Sequence, residues 1–188
     1  MPNPHLLAIG LGSNLPGQAG SPLSTLIAVR PKIEKIIADW VESTLKETKA
    51  VPKKQTSLQW KWSPLFETEP LGGPKKQNAF INAALVVDGS DMKQLTPSEN
   101  SALQLLQELL ILEKHFGRDR NTEQIRWGPR TLDIDILAWG DLQVKSPRLT
   151  IPHPRLIERS FVLIPLGEAI SYKQKPPKKI RPLKGWPE

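Results

Sequence analysis

Residues 126–137 read Arg126-Trp127-Gly128-Pro129-Arg130-Thr131-Leu132-Asp133-Ile134-Asp135-Ile136-Leu137, and the rest of the chain is organised around them. Gly128-Pro129 is a turn signal. The residues after it alternate, with Leu132, Ile134 and Ile136 on one side and Asp133 and Asp135 on the other, the pattern of a half-buried strand. Residues two apart on a strand project from the same face, roughly 6.5 to 7 Å apart. Two carboxylates therefore stand side by side above a buried aliphatic face and repel each other unless a cation intervenes. The hard cation suited to paired carboxylate oxygens, and normally shared with substrate phosphates, is Mg²⁺. Arg126 and Arg130 offer forked donors for phosphate oxygens, and Trp127 offers a flat surface for a planar ring. An Asp-x-Asp taken alone more often marks an exposed sheet face. Two guanidiniums and an indole in the same short run turn the reading toward a metal-assisted phosphate site.

The chain of 188 residues fits one domain with a sizeable core. It has no cysteine, which excludes disulfides and zinc-thiolate clusters and agrees with a reducing interior. No apolar run approaches the length of a membrane span. The opening Met-Pro-Asn-Pro-His lacks the basic and long apolar segments of a secretory signal, so a cytoplasmic location is expected, with no membrane partner. Of the net charge of +7, residues 171–188 hold +5, from six Lys or Arg against one Glu. The body is nearly neutral, which argues against nucleic acid as the partner. The tail carries four prolines as well and reads as an extended, solvated end after a domain of residues 1–170.

In chain order, residues 5–11 form an apolar run of strand length, ending in the loop Gly12-Ser13-Asn14-Leu15-Pro16-Gly17. That loop lacks both the P-loop ending and dinucleotide-fingerprint spacing, and is read as a tight connection with Asn14 facing the site. Ser21-Pro22 opens a helix. Leu23, Leu26, Ile27, Ile33, Ile37 and Trp40 recur at helical spacing, with Pro31 expected to kink or split it. Residues 41–58 are polar and Lys-rich and fit either a long loop or a helix extension. Residues 59–66 suit an edge strand, residues 67–76 a loop, and residues 79–88 a strand interrupted by Asn82. A buried amide must find partners, and Asn82 can serve either structure or a ligand.

Residues 98–116 are a helix with Leu103, Leu106, Leu109, Leu110 and Phe116 near one face, closed by Gly117. Glu113 rises beside that stripe, a costly place for a carboxylate unless it is paired. Arg118-Asp119-Arg120 starts a polar loop running back to the central stretch, which favours phosphate contact. Downstream, Arg148-Leu149-Thr150-Ile151-Pro152-His153-Pro154-Arg155 sets cationic and hydrogen-bonding groups on a proline-stiffened segment. Thr150, Arg148 and Arg159 near His153 favour a nucleotide contact for it. Residues 161–170 form an apolar closing helix interrupted by Pro165. The order strand, helix, strand, strand, helix, strand predicts an α+β fold, a ferredoxin-like βαββαβ core with a four-stranded, mostly antiparallel sheet and a C-terminal helical extension. Both helices cover one face of the sheet, and the other face is left for loops and ligands.

The run Arg126 to Ile136 resembles the signature of the 6-hydroxymethyl-7,8-dihydropterin pyrophosphokinase family of folate biosynthesis. The likeness extends through Leu11-Gly12-Ser13-Asn14-Leu15, Glu69-Pro70-Leu71-Gly72, Phe80-Ile81-Asn82-Ala83-Ala84, Glu113 with Gly117-Arg118, and Ile151-Pro152-His153-Pro154-Arg155. The resemblance implies transfer of the β,γ-diphosphate of ATP to the hydroxymethyl group of the dihydropterin, with release of AMP. It implies two Mg²⁺ ions on Asp133 and Asp135, and Arg118 and Arg130 neutralising the moving phosphates. Arg120, Arg148, Thr150, His153 and Arg159 would grip ATP, with Glu113, Trp127 and Ile136 at the nucleotide. The pterin would stack between Trp127, or a neighbouring position, and Phe161, with Asn82 reading its edge, Phe80 and Asn14 beside it, and Thr68, Pro70 and Leu71 completing the slot. The substrates the resemblance implies are small molecules; no nucleic acid partner is expected, and the protein is expected to be a monomer.

The chain departs from the family pattern at Leu110, where some members have glutamine, and at Pro154, where others have an aromatic. Residues 41–58 and 121–125 are longer than in compact members, and closure of loops over the substrates, residues 72–78 among them, is expected. No side chain looks like a base-activated covalent nucleophile, as suits a transfer that runs on alignment and charge stabilisation. Two rivals remain on sequence grounds: an RNA-binding module, which would want aromatics rather than aspartates on the central strand, and a Mg²⁺-dependent nucleotidyl transferase, which also uses Asp-x-Asp.

Overall fold

The computed structural model describes residues 5–47, 57–120, 125, 127–171 and 181–183. Its elements run β1 (Leu7–Ser13), α1 (Pro22–Glu47), β2 (Leu58–Trp62), β3 (Leu65–Thr68), β4 (Phe80–Gly89), α2 (Glu99–His115), β5 (Asp133–Trp139), β6 (Val144–Lys145), β7 (Thr150–Ile151), α3 (Ser160–Ser171) and β8 (Arg181–Leu183). The main sheet has the order β5-β1-β4-β3-β8, with β2 also on β4, and every pairing in it is antiparallel. The α+β reading holds, and β5-β1-β4-β3 is the expected four-stranded core. The sheet is wider than four strands.

The expected edge strand over residues 59–66 is two strands. Pro64 has no N–H for the ladder, and the chain steps out of register there. Ser63 fills the gap: its N–H donates to the Ala84 carbonyl at 2.9 Å, and its hydroxyl accepts from Ala84 N–H at 2.9 Å. Pro31 neither splits α1 nor ends it, since the helix runs unbroken to Glu47. Pro31 lies on an exposed turn, where water can satisfy the carbonyl that loses its partner. Residues 41–47 are thus helix extension, while residues 48–56 lie outside the described residues.

Leu26, Val29, Ile33, Ile37 and Trp40 of α1 and Leu105, Leu109 and Leu112 of α2 pack on Leu7, Ile9, Leu11, Leu85, Ile134 and Ile136 of the sheet. Leu103, Leu106 and Leu110 flank that stripe half-buried, and Leu23 at the start of α1 stays outside it. Trp40 ties the helices together by donating its indole N–H to the Ser101 carbonyl at 2.9 Å, and its ring meets Trp139 edge-on at 5.0 Å. Ser98 caps α2 by accepting the Ser101 N–H, and Gly117 takes the left-handed conformation at φ 89° that stops it.

The opposite face is not left free. Helix α3 lies on part of it, where Leu166 and Ala169 pack against Ala8, Ala84, Val86 and Leu137. The small side chains of β1 and β4 let this apolar helix approach closely. The open part of that face lies beyond the start of α3. The tail is corrected as well: Arg181–Leu183 add as β8 to β3, with Leu65 opposite Leu183 and Glu67 opposite Arg181. An unpaired strand edge offers backbone donors and acceptors that an extended segment can use whatever its side chains. Residues 172–180 and 184–188 are outside the described residues. No helix among the described residues is long and apolar enough to cross a membrane.

Leu85 sits fully buried at the middle of β4. Leu85→Ala is expected to cost about 2–5 kcal/mol of unfolding free energy, read as a lower urea midpoint at unchanged slope.

Candidate active site

Strand β5 carries one extra residue. Ala8 of β1 faces Ala138 while Ile9 faces Ile136, so Leu137 has no opposite number and forms a bulge. Before the bulge, Ile134 and Ile136 enter the helix-covered core and Asp133 and Asp135 face the other way. After it the phase reverses, and Trp139 enters that same core. A regular strand would have placed Trp139 on the face of the aspartates.

The neighbouring strands make room on that face. In register, Asp135 lies beside Gly10 and Gly10 beside Ala84, while Asp133 lies beside Gly12 and Gly12 beside Asn82. A Cβ on Gly12 would stand 2.9 Å from Asn82 Oδ1, and one on Gly10 would stand 3.2 Å from Leu137 Cδ2. The glycines thus line an open cleft on that face. Thr68, Pro70, Leu71, Phe80, Asn82, Trp127, Arg130, Asp133, Asp135, Arg159 and Phe161 all line it. Gly10 and Gly12 were not foreseen as site residues, though the small residues alternating through Ala8-Ile9-Gly10-Leu11-Gly12 carried the signal.

The charges are shared unequally. Glu113, buried at the end of α2, accepts from Arg118 Nη1 at 2.9 Å, Arg120 Nε at 2.8 Å, Arg120 Nη2 at 2.9 Å and the backbone N–H of Ile134 at 2.7 Å. Those bonds answer the cost of its burial and pin α2 to β5. Arg118 also donates to the Leu132 carbonyl at 3.2 Å and to Asp133 Oδ1, while Arg130 Nε lies 3.1 Å from Asp133 Oδ2. Burial pushes Glu113 above the usual carboxylate range despite its arginines. Burial pushes Asp133 the same way, but Arg118 and Arg130 outweigh it and hold this acid below its ordinary value. Among the described residues Asp135 has no such pair of arginines. Burial, with Asp133 and then Glu113 close by, pushes it up to about 7.

His153 stands 4.0 Å from Asp135. Its Nδ1 accepts the Arg155 backbone N–H at 3.2 Å, which leaves Nε2 to carry the proton and face Asp135. Burial and Arg159 hold His153 below its ordinary value, so the imidazole is neutral at pH 7. Asn82 keeps its place by donating to Thr68 Oγ1 at 2.7 Å. Each of three aromatic walls carries a guanidinium: Arg130 lies 5.3 Å from the Phe80 centroid, Arg159 5.4 Å from Phe161, and Arg155 4.7 Å from Trp127.

Some candidate residues stand elsewhere. Asn14 is fully buried and does not line the cleft; its amide donates to the Asn78 carbonyl at 3.0 Å and accepts from Arg130 N–H at 2.8 Å, holding two loops together. The Ile136 side chain belongs to the core on the far face of the sheet. Arg148 reaches along the surface of α2 to Gln107 at 3.2 Å, and Thr150 lies in the β6–β7 hairpin. Arg126 and residues 121–124 are outside the described residues.

A family model described as 7,8-dihydro-6-hydroxymethylpterin-pyrophosphokinase matches residues 8–171. Similar relatives carry the name 2-amino-4-hydroxy-6-hydroxymethyldihydropteridine pyrophosphokinase. The Synechocystis protein is 43% identical over 103 residues, covering 55% of this chain and 46% of that protein. The Bacillus subtilis protein is 39% identical over 115 residues, 61% of each chain. The Pseudomonas aeruginosa protein is 42% identical over 106 residues, 56% of this chain and 57% of that one. The chain thus spans about half to three-fifths of the length of these relatives.

The position of Asp135 makes stability depend on pH. An acid raised in the folded state above its unfolded value of about 3.9 stabilises the fold at low pH, and that contribution is lost as pH rises through about 7. In EDTA, Asp135→Asn is therefore expected to melt a few degrees above the parent at pH 8. The gain should shrink through neutrality and vanish near pH 4; a gain that is constant with pH would contradict this charge distribution.

Proposed function

Because the chain belongs to the 7,8-dihydro-6-hydroxymethylpterin-pyrophosphokinase family, we propose that it transfers the β,γ-diphosphate of ATP to the hydroxymethyl group of 6-hydroxymethyl-7,8-dihydropterin and releases AMP. The observation that carries this reading is the make-up of the cleft. The rings of Phe80, Trp127 and Phe161 and the Asn82 amide line it together with the charged groups of Asp133, Asp135, Arg130 and Arg159. A planar, hydrogen-bonding heterocycle suits the rings and the amide, and a polyphosphate with its cations suits the charged groups.

The donor set fits Mg²⁺. Asp133 and Asp135 supply oxygen ligands only, and the described residues contain no cluster of three or more His, Cys, Asp or Glu that would form a closed protein cage. Mg²⁺ keeps water and phosphate oxygens as its remaining ligands, so two carboxylates are enough. The repulsion that raises Asp135 is relieved by a cation there. Two ions are the number we propose; bound, they supply charge neutralisation on the polyphosphate.

The protein's own groups do the rest by placement. Asn82 and the backbone around Thr68–Leu71 orient the pterin so that its hydroxymethyl group lies toward the aspartates. Arg118, held by Glu113 and at Asp133 Oδ1, and Arg130 on the other Asp133 oxygen are the groups we assign to balancing phosphate charge during transfer; their contacts to the metal-binding acid support that role. Arg159 and the neutral His153, with its Nε2 proton facing the site, bind phosphate oxygens, and Arg120 extends the same wall. Arg148 and Thr150 remain candidates for the outer part of ATP.

The test is direct. Incubated with ATP, Mg²⁺ and the hydroxymethyl dihydropterin, the protein should form AMP and a pterin diphosphate in equal amounts. Pyrophosphate release in place of AMP would identify nucleotidyl transfer instead. Asp135→Asn and Asp133→Asn should each lower turnover by about a thousandfold or more, on the scale of lost transition-state charge stabilisation, with the fold retained by circular dichroism. Near-parental rates in both variants would remove the metal assignment.

A further inference from the structure

Trp127 is held in a demanding position. Its φ of 60° is left-handed, a conformation that costs a bulky residue energy, and its side chain is 37% exposed. Contacts to Gln77 and Gly72 help hold its backbone and the base of its ring. Gln77 Nε2 donates to the Trp127 carbonyl at 3.0 Å and to the Gly72 carbonyl at 3.1 Å, joining the two loops. Gly72 lies under the indole so closely that a Cβ there would stand 2.8 Å from Trp127 Cε3. Neither contact fixes the outer face of the ring.

Arg155 does. Its guanidinium carbon is 4.7 Å from the indole centroid, closer than the corresponding approaches at Phe80 and Phe161. Arg130 and Arg159 line the cleft along with the rings they cover, whereas Arg155 does not line it. Among the described residues no carboxylate lies within 4.0 Å of it as an ion-pair partner. Its backbone is fixed by the bond to His153 Nδ1. We propose that Arg155 is a positioning residue for the heterocycle slot, stacking on the outer face of Trp127 and holding the indole over Gly72 as a wall for the planar substrate. It rests on the proposed function for its substrate, and it adds a residue that touches neither phosphate nor pterin.

The experiment is a double-mutant cycle with a second, turnover-independent readout. Arg155→Leu should raise KM for the dihydropterin about tenfold, within the range of cation–π stacking, and leave KM for ATP within about twofold. In a Trp127→Leu background the same change should have no further effect. Effects that multiply in the cycle, or a rise confined to the ATP KM, would overturn the proposal, the latter marking Arg155 as a phosphate contact. Independently, Arg155→Leu should speed hydrogen exchange of the Gly128 amide, which donates to Ile125 at 3.0 Å, with the melting temperature little changed. Unchanged exchange would also overturn it. If the parent protein makes no AMP, the proposed function fails, while the exchange measurement still decides whether Arg155 holds Trp127.

Discussion

Three carboxylates and too few cations within reach set the character of this molecule. Glu113, Asp133 and Asp135 crowd the junction of α2 and β5. Arg118 bridges the first two, Arg120 serves Glu113 and Arg130 serves Asp133. Asp135, its side chain 40% exposed, is left with a neutral imidazole at 4.0 Å. Burying a charge is tolerable when it is paired and hydrogen-bonded. Among the described residues the structure meets that condition twice and leaves it unmet at Asp135. The proposed binding of a cation together with a ligand rests on that unmatched acid beside a satisfied one.

That charge pattern depends on the sheet. The bulge at Leu137 lets β5 send Ile134 and Ile136 into the core, present two acids on the opposite face, and still bury Trp139 beside Trp40. Glycines at positions 10 and 12 of β1 turn that face into a floor. Helix α3 then covers the far end, where Ala8, Ala84 and Val86 accept Leu166 and Ala169. One face of one sheet is therefore divided between an apolar helix seat and a ligand cleft by the sizes of side chains on two strands.

The cleft's walls come from loops, and loops need ties. Asn14 joins the segments at Asn78 and Arg130, and Gln77 joins Gly72 to Trp127. Each uses a side-chain amide to satisfy backbone groups on two segments at once. Such amides bring distant stretches together without adding charge to a site that has enough of it. The guanidiniums over Phe80, Trp127 and Phe161 set cations against the aromatic surfaces.

Much of this was legible in the sequence. The two-residue alternation through Asp133 and Asp135, the 3.6-residue spacing of α2, the turn at Gly128-Pro129 and the ordering of strands and helices are local patterns, and local sterics and hydrophobic period express them directly. The misreadings share one cause. The break at Pro64, the seat of α3 and the pairing of β8 were decided by what lay opposite in space. The inward turn of the Asn14 side chain and the placement of the Ile136 side chain in the core, which no single stretch of chain displays, were decided in the same way. The sequence by itself determined which residues could form strands and helices and which chemical groups were present to meet a phosphate and a planar ring. Only the tertiary structure decided which carboxylate would keep its arginines, because pairing energies depend on distance and burial, and neither is a property of one stretch of chain.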